Sequence, residues 1–150
     1  MTDSSTIHAC AVLVGAKAVL IRGPSGSGKS RLAWNLVQAS DNGDLAFSRL
    51  VADDRAHVEV HGSRVLVRPP PQLAGLIEIH GLGIRCLPHE PVAAVGWVID
   101  LASPEGGRMP AKETRETLIL GVAIPHLSVA PGADALPLVL AWLRTTASID

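Results

Sequence analysis

The segment "GPSGSGKS" contains residues that can hold a phosphate group. Four residues separate Gly23 from Gly28, and Lys29 and Ser30 follow directly, which is the spacing of a phosphate-binding P-loop. Glycines let the backbone N–H groups of such a loop converge on phosphate oxygens, because a Cβ would obstruct the approach. We predict that Lys29 reaches the β- and γ-phosphates and that the Ser30 hydroxyl coordinates Mg²⁺. The predicted phosphate-binding residues are Gly23, Pro24, Ser25, Gly26, Ser27, Gly28, Lys29 and Ser30.

Two adjacent carboxylates, Asp53 and Asp54, close the apolar segment "RLVA". The end of such a strand is where a P-loop protein places the carboxylate that holds its Mg²⁺. Neighbouring side chains of an extended chain point in opposite directions, so these two cannot share one role. We expect one to face the metal with Ser30 and the other to exchange a proton with an attacking hydroxyl.

Glu78 and His80 share one face of the segment "LIEIHGLGI" if that segment is a strand, because strand side chains alternate. A carboxylate and an imidazole on one face of an otherwise apolar segment predict the lining of a site. Gly81 and Gly83 would then let the backbone approach a ligand closely.

A single histidine, His8, stands at the start of a predicted strand and is a further candidate site residue. The remaining histidines show no metal-ligand spacing with one another or with the cysteines, so no zinc site is predicted. These residues are His57, His61, His89 and His126.

The elements that must position these residues follow from hydrophobic periodicity and turn residues. Together they predict an α/β fold: a P-loop domain with a mixed sheet, β-hairpins, a helix after the P-loop and a C-terminal helix. We expect a hairpin from "HACAVLV" and "AVLI", a helix from Ser30 to about Ala39, a strand from Arg49 that ends in the two aspartates, and a hairpin from "HVEV" and "RVLV". An extended bend at Pro69–Pro71, strands in "LIEIHG", "VAAVGWVIDL" and "TLILGVAIPHLSV", and a surface loop over Ser103–Pro110 follow. The chain should then form a helix that Asp134 caps and that runs to about Thr146, with Leu136, Val139, Leu140 and Leu143 on its buried face.

The composition predicts one cytoplasmic domain spanning residues 1–150, with an aliphatic core. Hydrophobic residues make up 47% of the chain and aromatic residues 3%. The net charge is −1, so the chain does not have the excess of positive charge that is expected of a protein that binds nucleic acid. "MTDSST" does not resemble a signal peptide, and the longest apolar stretch is too short to span a membrane. Cys10 and Cys86 are expected to be reduced core thiols.

The commoner classes of P-loop protein fit this sequence poorly. Neither asparagine, Asn35 or Asn42, lies in the Asn-Lys-x-Asp context that reads guanine, which disfavours a regulatory GTPase. A Leu-Ser-Gly-Gly-Gln segment is absent from the sequence, which disfavours a transporter ATPase. A small-molecule P-loop kinase stays open as an alternative at this length, although no segment concentrates arginine as a lid would.

Four segments, in order, resemble the catalytic domain of the HPr kinase/phosphorylase family, in its short single-domain proteobacterial form. They are "HA" with His8, "GPSGSGKS", "LVADD" and "IEIHGLGI", and the resemblance covers residues 7–132. It implies a kinase that uses ATP and Mg²⁺ to phosphorylate a serine of the small phosphocarrier HPr and, in many members, reverses this with inorganic phosphate. It also implies a homo-oligomer, a hexamer in longer members, that regulates carbon and nitrogen metabolism.

The resemblance also implies roles for single residues. Lys29 and the loop would hold the triphosphate, and Ser30 and Asp54 would hold Mg²⁺, with Glu78 near a second ion. Asp53 would be the base for phosphorylation and the acid for the reverse reaction. His8 would lie near the transferred phosphate. The predicted catalytic residues are Asp53, His8 and Lys29, and the predicted metal ligands are Ser30, Asp54 and Glu78.

Two features depart from the family pattern. His80 stands where the family signature has arginine, and an imidazole is shorter and not charged throughout the neutral pH range. The segment "IPHLSVAPGAD" keeps the shape of the family's "P-x-x-x-V-x-P-G" loop but has Ala130 and Ala133 where that loop has basic residues. These replacements support a third hypothesis, a catalytically weak module that senses nucleotide or phosphate and acts by contacting other signalling proteins.

Overall fold

Short runs of aliphatic and β-branched residues form most of the secondary structure. The computed structural model describes residues 3–107 and 115–146. No helix in these ranges is long and apolar enough to cross a membrane. The elements are β1 (Ser4–Ile7), β2 (Ala9–Val14), β3 (Lys17–Arg22), α1 (Lys29–Asp41), β4 (Ser48–Ala52), β5 (Ala56–His61), β6 (Arg64–Arg68), β7 (Leu76–Ile79), β8 (Gly83–Cys86), β9 (Ala93–Asp100), β10 (Glu116–Ile119), β11 (Val122–Ser128) and α2 (Ala135–Arg144).

The main sheet is mixed, as predicted, and the P-loop strand β3 lies inside it. The strand order is β1-β5-β6-β9-β3-β2-β4. β9 runs parallel to β3, whereas β2 is antiparallel to both β3 and β4. The first residues of β9 pair with β6, and its last residues pair in parallel with β11, whose other neighbour is β10. This order places the ends of β4, β3, β9 and β11 along one edge, where the site is built.

The core is aliphatic on both faces of the sheet, as predicted. Leu32, Ala33 and Leu36 of α1 pack on one face against Ile21 and Ile99. A second cluster, which includes Leu20, Val58 and Val98, covers the opposite face. Because α1 follows the P-loop directly, this packing fixes the loop at the edge of the sheet.

The predicted hairpins β2–β3 and β5–β6 and the two helices are confirmed. β1 and β8 were not predicted. β1 is a four-residue edge strand of polar and apolar residues, stabilised by pairing with β5. β8 pairs with β7 in an antiparallel hairpin, in which Gly81 lies in the turn and Gly83 begins β8.

Three smaller predictions were wrong or fall partly outside the described residues. The predicted extended bend holds at Pro70, which has a φ of −55° and a ψ of 140°. Pro71 instead begins a 3₁₀ turn that runs to Leu73, because proline is well tolerated at the start of a helical turn. Cys86 is exposed rather than in the core, and both cysteines are free thiols. The predicted loop from Ser103 is irregular through Gly107, and its remainder lies outside the described residues. In α2, Val139 is buried and the other predicted core leucines are half-buried.

Candidate functional site

The P-loop has the backbone shape of an anion cradle. Gly26 and Gly28 have φ values of 81° and 97°, which lie in the left-handed region that favours glycine. Gly28 is the N-cap of α1, and no side chain in the described part of the chain caps this end. The first N–H groups of the helix are therefore available to an anion, and the helix dipole favours negative charge there.

Lys29 lies over the loop that precedes it. Its Nζ donates to the carbonyl oxygens of Gly23, at 2.8 Å, and Pro24, at 3.2 Å. The side chain is largely buried although it is charged. These contacts hold the ammonium group at the mouth of the cradle, where a phosphate would supply the counter-charge.

Asp53 is the buried carboxylate of the site. Its Oδ1 accepts hydrogen bonds from Ser30 Oγ at 2.6 Å and from Cys10 Sγ at 3.1 Å. Its Oδ2 accepts one from the Glu78 backbone N–H at 2.9 Å. Asp53 is only 8% exposed, so these donors replace the water that a carboxylate requires. The P-loop, the end of β4 and β7 therefore meet at one side chain.

Cys10 is a site residue that the sequence reasoning placed only in the core. It is fully buried on β2, and its sulfur also accepts the Asp54 backbone N–H at 3.4 Å. Burial and the neighbouring Asp53 carboxylate raise the pKa of the Cys10 thiol to about 12. The thiol is therefore protonated at neutral pH and serves as a donor to Asp53. The pairing of β2 with β4 creates this contact, so the sequence carried no local signal for it.

The other predicted residues, His8, Asp54, Glu78 and His80, are exposed. Asp54 is exposed with a φ of 67°, so the chain turns sharply after Asp53. His8 is exposed and precedes Ala9, whose N–H donates to the Asp54 carbonyl oxygen at 3.1 Å. The Glu78 side chain is exposed next to the amide that holds Asp53, and His80 is exposed beyond it. Of the two aspartates, Asp53 is thus the one beside Ser30. The division of metal and proton roles between them stays a prediction.

The donor set around Ser30 fits Mg²⁺. Mg²⁺ prefers oxygen ligands and is usually held by one or two carboxylates together with waters and substrate phosphates. Ser30 supplies a hydroxyl that contacts Asp53 Oδ1. Asp54 and Glu78, which adjoin Asp53 through the chain and through a backbone hydrogen bond, supply exposed carboxylates. Within residues 3–107 and 115–146, no group of three His, Cys, Asp or Glu side chains could hold a metal ion alone. A nucleotide phosphate would therefore have to complete the coordination.

A cavity of about 380 Å³ adjoins the P-loop on the side away from Asp53. It lies between α1, the chain after β9, the loop after β11 and the start of α2. The lining residues are Ser27 and Gly28 of the P-loop, Arg31, Leu32 and Asn35 of α1, Leu101 and Ala102 after β9, and Val129, Ala130, Gly132, Ala133, Asp134, Ala135 and Leu136. Among these, only Ser27 and Gly28 were predicted as site residues.

An ion-pair network supports the strand ends next to the loop. Asp100, at the end of β9, accepts from Nε and Nη2 of Arg22, both at 2.8 Å. His126 Nε2 lies 2.7 Å from Asp100 Oδ2. Burial alone would raise the pKa of Asp100, but the hydrogen bonds and charges of Arg22 and His126 hold it below its ordinary value. Because Gly23 follows Arg22 directly, this network anchors the start of the P-loop.

Comparisons with known proteins agree with this architecture. Residues 1–87 match the family described as HPr Serine kinase C-terminal domain. The chain is 39% identical over 85 residues to an HPr kinase/phosphorylase of Lacticaseibacillus casei, which is 56% of this chain and 24% of that protein. It is 31% identical over 144 residues to the HPr kinase/phosphorylase of Limosilactobacillus reuteri, which is 86% of this chain and 42% of that protein. The chain thus spans less than half the length of these relatives.

A solved structure of the Hpr(Ser) kinase/phosphatase from Coxiella burnetii has the same fold. The two structures superpose with a TM-score of 0.73 at 27% sequence identity, covering 93% of this chain and 88% of the other. The family match covers more than half of the sequence and includes the P-loop, Asp53 and Glu78. The chain belongs to the HPr serine kinase C-terminal domain family.

Proposed function

We propose that this chain is an ATP- and Mg²⁺-dependent kinase that phosphorylates a serine of an HPr-like phosphocarrier. The observation that carries the proposal is the convergence of three segments on Asp53. Its carboxylate is 2.6 Å from the P-loop Ser30 hydroxyl and 2.9 Å from the Glu78 amide. A P-loop alone binds phosphate, but a buried carboxylate beside it adds a group that can act on an incoming hydroxyl. The names of the relatives support a serine of HPr as that hydroxyl.

In this proposal the loop amides and Lys29 bind the triphosphate, and Ser30, Asp54 and Glu78 hold Mg²⁺. The metal, when bound, neutralises charge on the phosphate oxygens. Lys29 would exchange its contacts with the loop carbonyls for phosphate oxygens as the nucleotide binds. This arrangement orients the γ-phosphate toward the Asp53 side of the loop.

Asp53 takes the proton of the substrate serine in the transfer step. The serine oxygen forms a bond to the γ-phosphorus, and the bond from that phosphorus to the bridging oxygen breaks and releases ADP. His8 is proposed to lie beside the transferred phosphate. In the reverse direction, an oxygen of inorganic phosphate forms a bond to the phosphorus of the phosphoserine, and the bond from that phosphorus to the serine oxygen breaks. Pyrophosphate is the product, and protonated Asp53 gives its proton to the serine oxygen.

The proposal also covers the oligomeric state, the location and the metabolic role of the enzyme. We propose a single cytoplasmic domain that forms a homo-oligomer, a hexamer by family resemblance, and regulates metabolism through the phosphotransferase system. It requires neither a nucleic acid nor a membrane. The alanines at 130 and 133 line the cavity next to the P-loop, which favours a nucleotide- or phosphate-sensing module as the second candidate.

The test is phosphoryl transfer from γ-labelled ATP in the presence of Mg²⁺ and the phosphocarrier. We expect acid-stable label on a serine of the carrier, little label with Lys29→Gln or Asp53→Asn, and unchanged transfer with Gln38→Ala on the same helix. Absence of transfer with ATP binding intact would overturn the kinase proposal and favour the sensor. Label on a small molecule instead would support a small-molecule kinase, and full transfer by Asp53→Asn would refute the proton role of Asp53.

A further inference from the structure

Lys29 depends on the first two residues of the P-loop for its position. Its Nζ donates to the carbonyl oxygens of Gly23 at 2.8 Å and Pro24 at 3.2 Å, and the residue is only 9% exposed. The Pro24 carbonyl oxygen also accepts the Ser27 backbone N–H at 3.0 Å. A displacement of Gly23 and Pro24 would therefore move the ammonium group and the turn of the loop together.

The place of Gly23 is set by the chain at the end of β9. A Cβ at Gly23 would lie 2.5 Å from Ser27 Oγ and 3.1 Å from the Leu101 Cβ, so the backbone lies close to both segments. The Arg22 carbonyl oxygen accepts the Leu101 backbone N–H at 2.8 Å. Asp100, the last residue of β9, directly precedes Leu101. The start of the P-loop is thus held against the end of β9 by its backbone.

The Arg22 side chain makes a second connection to the same strand end. Its Nε donates to Asp100 Oδ1 and its Nη2 to Asp100 Oδ2, both at 2.8 Å. Two parallel bonds of this kind fix the direction of both side chains as well as their distance. Nη2 also lies 3.4 Å from Thr117 Oγ1 on β10. Only a guanidinium group can make this pair of bonds, because lysine carries a single point charge.

We propose that Arg22 is a positioning residue for phosphate binding. Its pair with Asp100 holds the first two residues of the P-loop where their carbonyl oxygens place Lys29 at the mouth of the cradle. The inference rests on the proposed function, because it takes the P-loop as the site of the triphosphate. A loop that already has its binding shape loses little freedom when the ligand binds, which raises the affinity. In this role Arg22 acts through the loop and does not contact the ligand.

The test measures the binding of tripolyphosphate with Mg²⁺ to the full chain by isothermal titration calorimetry, well below the unfolding temperature of every variant. Arg22→Gln should weaken binding about tenfold, within the range typical of coupling between sites. Asp100→Asn should weaken it by a similar factor, and the double variant should be no weaker than either single one, because the two residues act as a pair. Arg22→Lys should recover only part of the loss. In the transfer assay, Arg22→Gln should raise KM for ATP about tenfold and change kcat less than about threefold, because the interaction acts on phosphate binding.

A destabilised variant outside the site serves as the control. Val58 is buried in the core on the opposite face of the sheet, so Val58→Ala should lower the stability of the fold without touching the loop. It should bind tripolyphosphate as the parent does. Equal weakening by Val58→Ala and Arg22→Gln would overturn the inference, because any loss of stability would then have the same effect.

The remaining outcomes separate this inference from the proposed function. If Arg22→Gln unfolds more easily in urea but binds tripolyphosphate as the parent does, Arg22 only stabilises the fold and the inference is overturned while the kinase proposal stands. Full recovery by Arg22→Lys would also overturn it, since the two parallel bonds would not be required. If the parent binds tripolyphosphate but transfers no phosphate to the carrier, the proposed function fails and a tenfold loss in Arg22→Gln still supports the inference. If the parent does not bind tripolyphosphate, both fail.

Discussion

Asp100 joins three strands beside the P-loop, and replacing it tests how the loop is anchored. Its two oxygens accept from Arg22 Nε and Nη2 at 2.8 Å each, and Oδ2 lies 2.7 Å from His126 Nε2. Asp100→Asn keeps the shape of the side chain but removes the charge. It also replaces one acceptor oxygen with an NH₂ group that faces donors. We therefore expect the folded protein to be destabilised.

The magnitude follows from the number of bonds and their exposure. A hydrogen bond to a charged group is worth about 1.5–3 kcal/mol. The side chains of Arg22 and Asp100 are 29% and 27% exposed, so solvent screens part of this interaction. We expect the free energy of unfolding to fall by about 2–3 kcal/mol. For a chain of 150 residues this lowers Tm by roughly 4–12 °C.

Urea unfolding at pH 7 measures the effect, with a surface ion pair as the control. Arg49 Nη1 lies 3.3 Å from Glu90 Oε1, and these side chains are 41% and 30% exposed. Exposed pairs contribute about 1 kcal/mol or less, so Glu90→Gln should change the free energy of unfolding little. If Asp100→Asn costs no more than Glu90→Gln, the reasoning about the anchoring network is refuted.

The same network predicts a pH dependence. Arg22 and His126 outweigh the effect of burial and hold the pKa of Asp100 below its ordinary value in the folded protein. Ionised Asp100 therefore stabilises the fold fully above the ordinary carboxyl pKa, and this contribution is lost as the pH falls through the lowered folded value. The difference in stability between the parent and Asp100→Asn should shrink below about pH 4. A difference that grows on acidification would contradict this account.

Two further substitutions test the site. A Cβ at Gly106 would lie 2.2 Å from the Ala130 nitrogen, whereas one at Gly107 meets nothing within 4 Å. Gly106→Ala should therefore displace the loop after β11, lower the free energy of unfolding by about 1–3 kcal/mol and weaken ATP binding. Gly107→Ala should have none of these effects. Equal effects of the two substitutions in calorimetry would contradict the packing argument. Cys10→Ala should lower kcat of the proposed transfer about tenfold at unchanged KM for ATP, because Asp53 loses a donor. Cys10→Ser retains a donor and should recover most of the rate, so equal losses in steady-state kinetics would exclude a positioning role.

Local patterns were enough to predict the parts of the site that are continuous in the sequence. The P-loop is recognisable because its glycines and Lys29 lie within eight consecutive residues, and because the loop binds phosphate through a backbone shape that those glycines allow. The helix after it has apolar residues at helical spacing, and α1 extends the predicted range by only one or two residues at each end. The alternation in "LIEIH" also held, since Ile77 is buried while Glu78 and His80 are exposed.

The contacts between distant segments could not be predicted in this way. Asp53 and Asp54 are equivalent in the sequence, and the turn at Asp54, with the pairing of β2 and β4, is what brings Asp53 to Ser30 and Cys10. β1 and β8 exist because a partner strand satisfies their backbone groups, not because of their own propensity.

The amino-acid order alone therefore established a phosphate cradle, a nearby pair of carboxylates and a mixed α/β fold, since each depends on short-range spacing and periodicity. Strand order and register decided which carboxylate faces the loop, which thiol supports it, and where the cavity opens. These features join residues that are distant in the sequence, from Ser30 and Asp53, 23 positions apart, to the two ends of the cavity lining at Ser27 and Leu136. They are set by packing and hydrogen bonding in three dimensions, which leave no periodic signal along the chain.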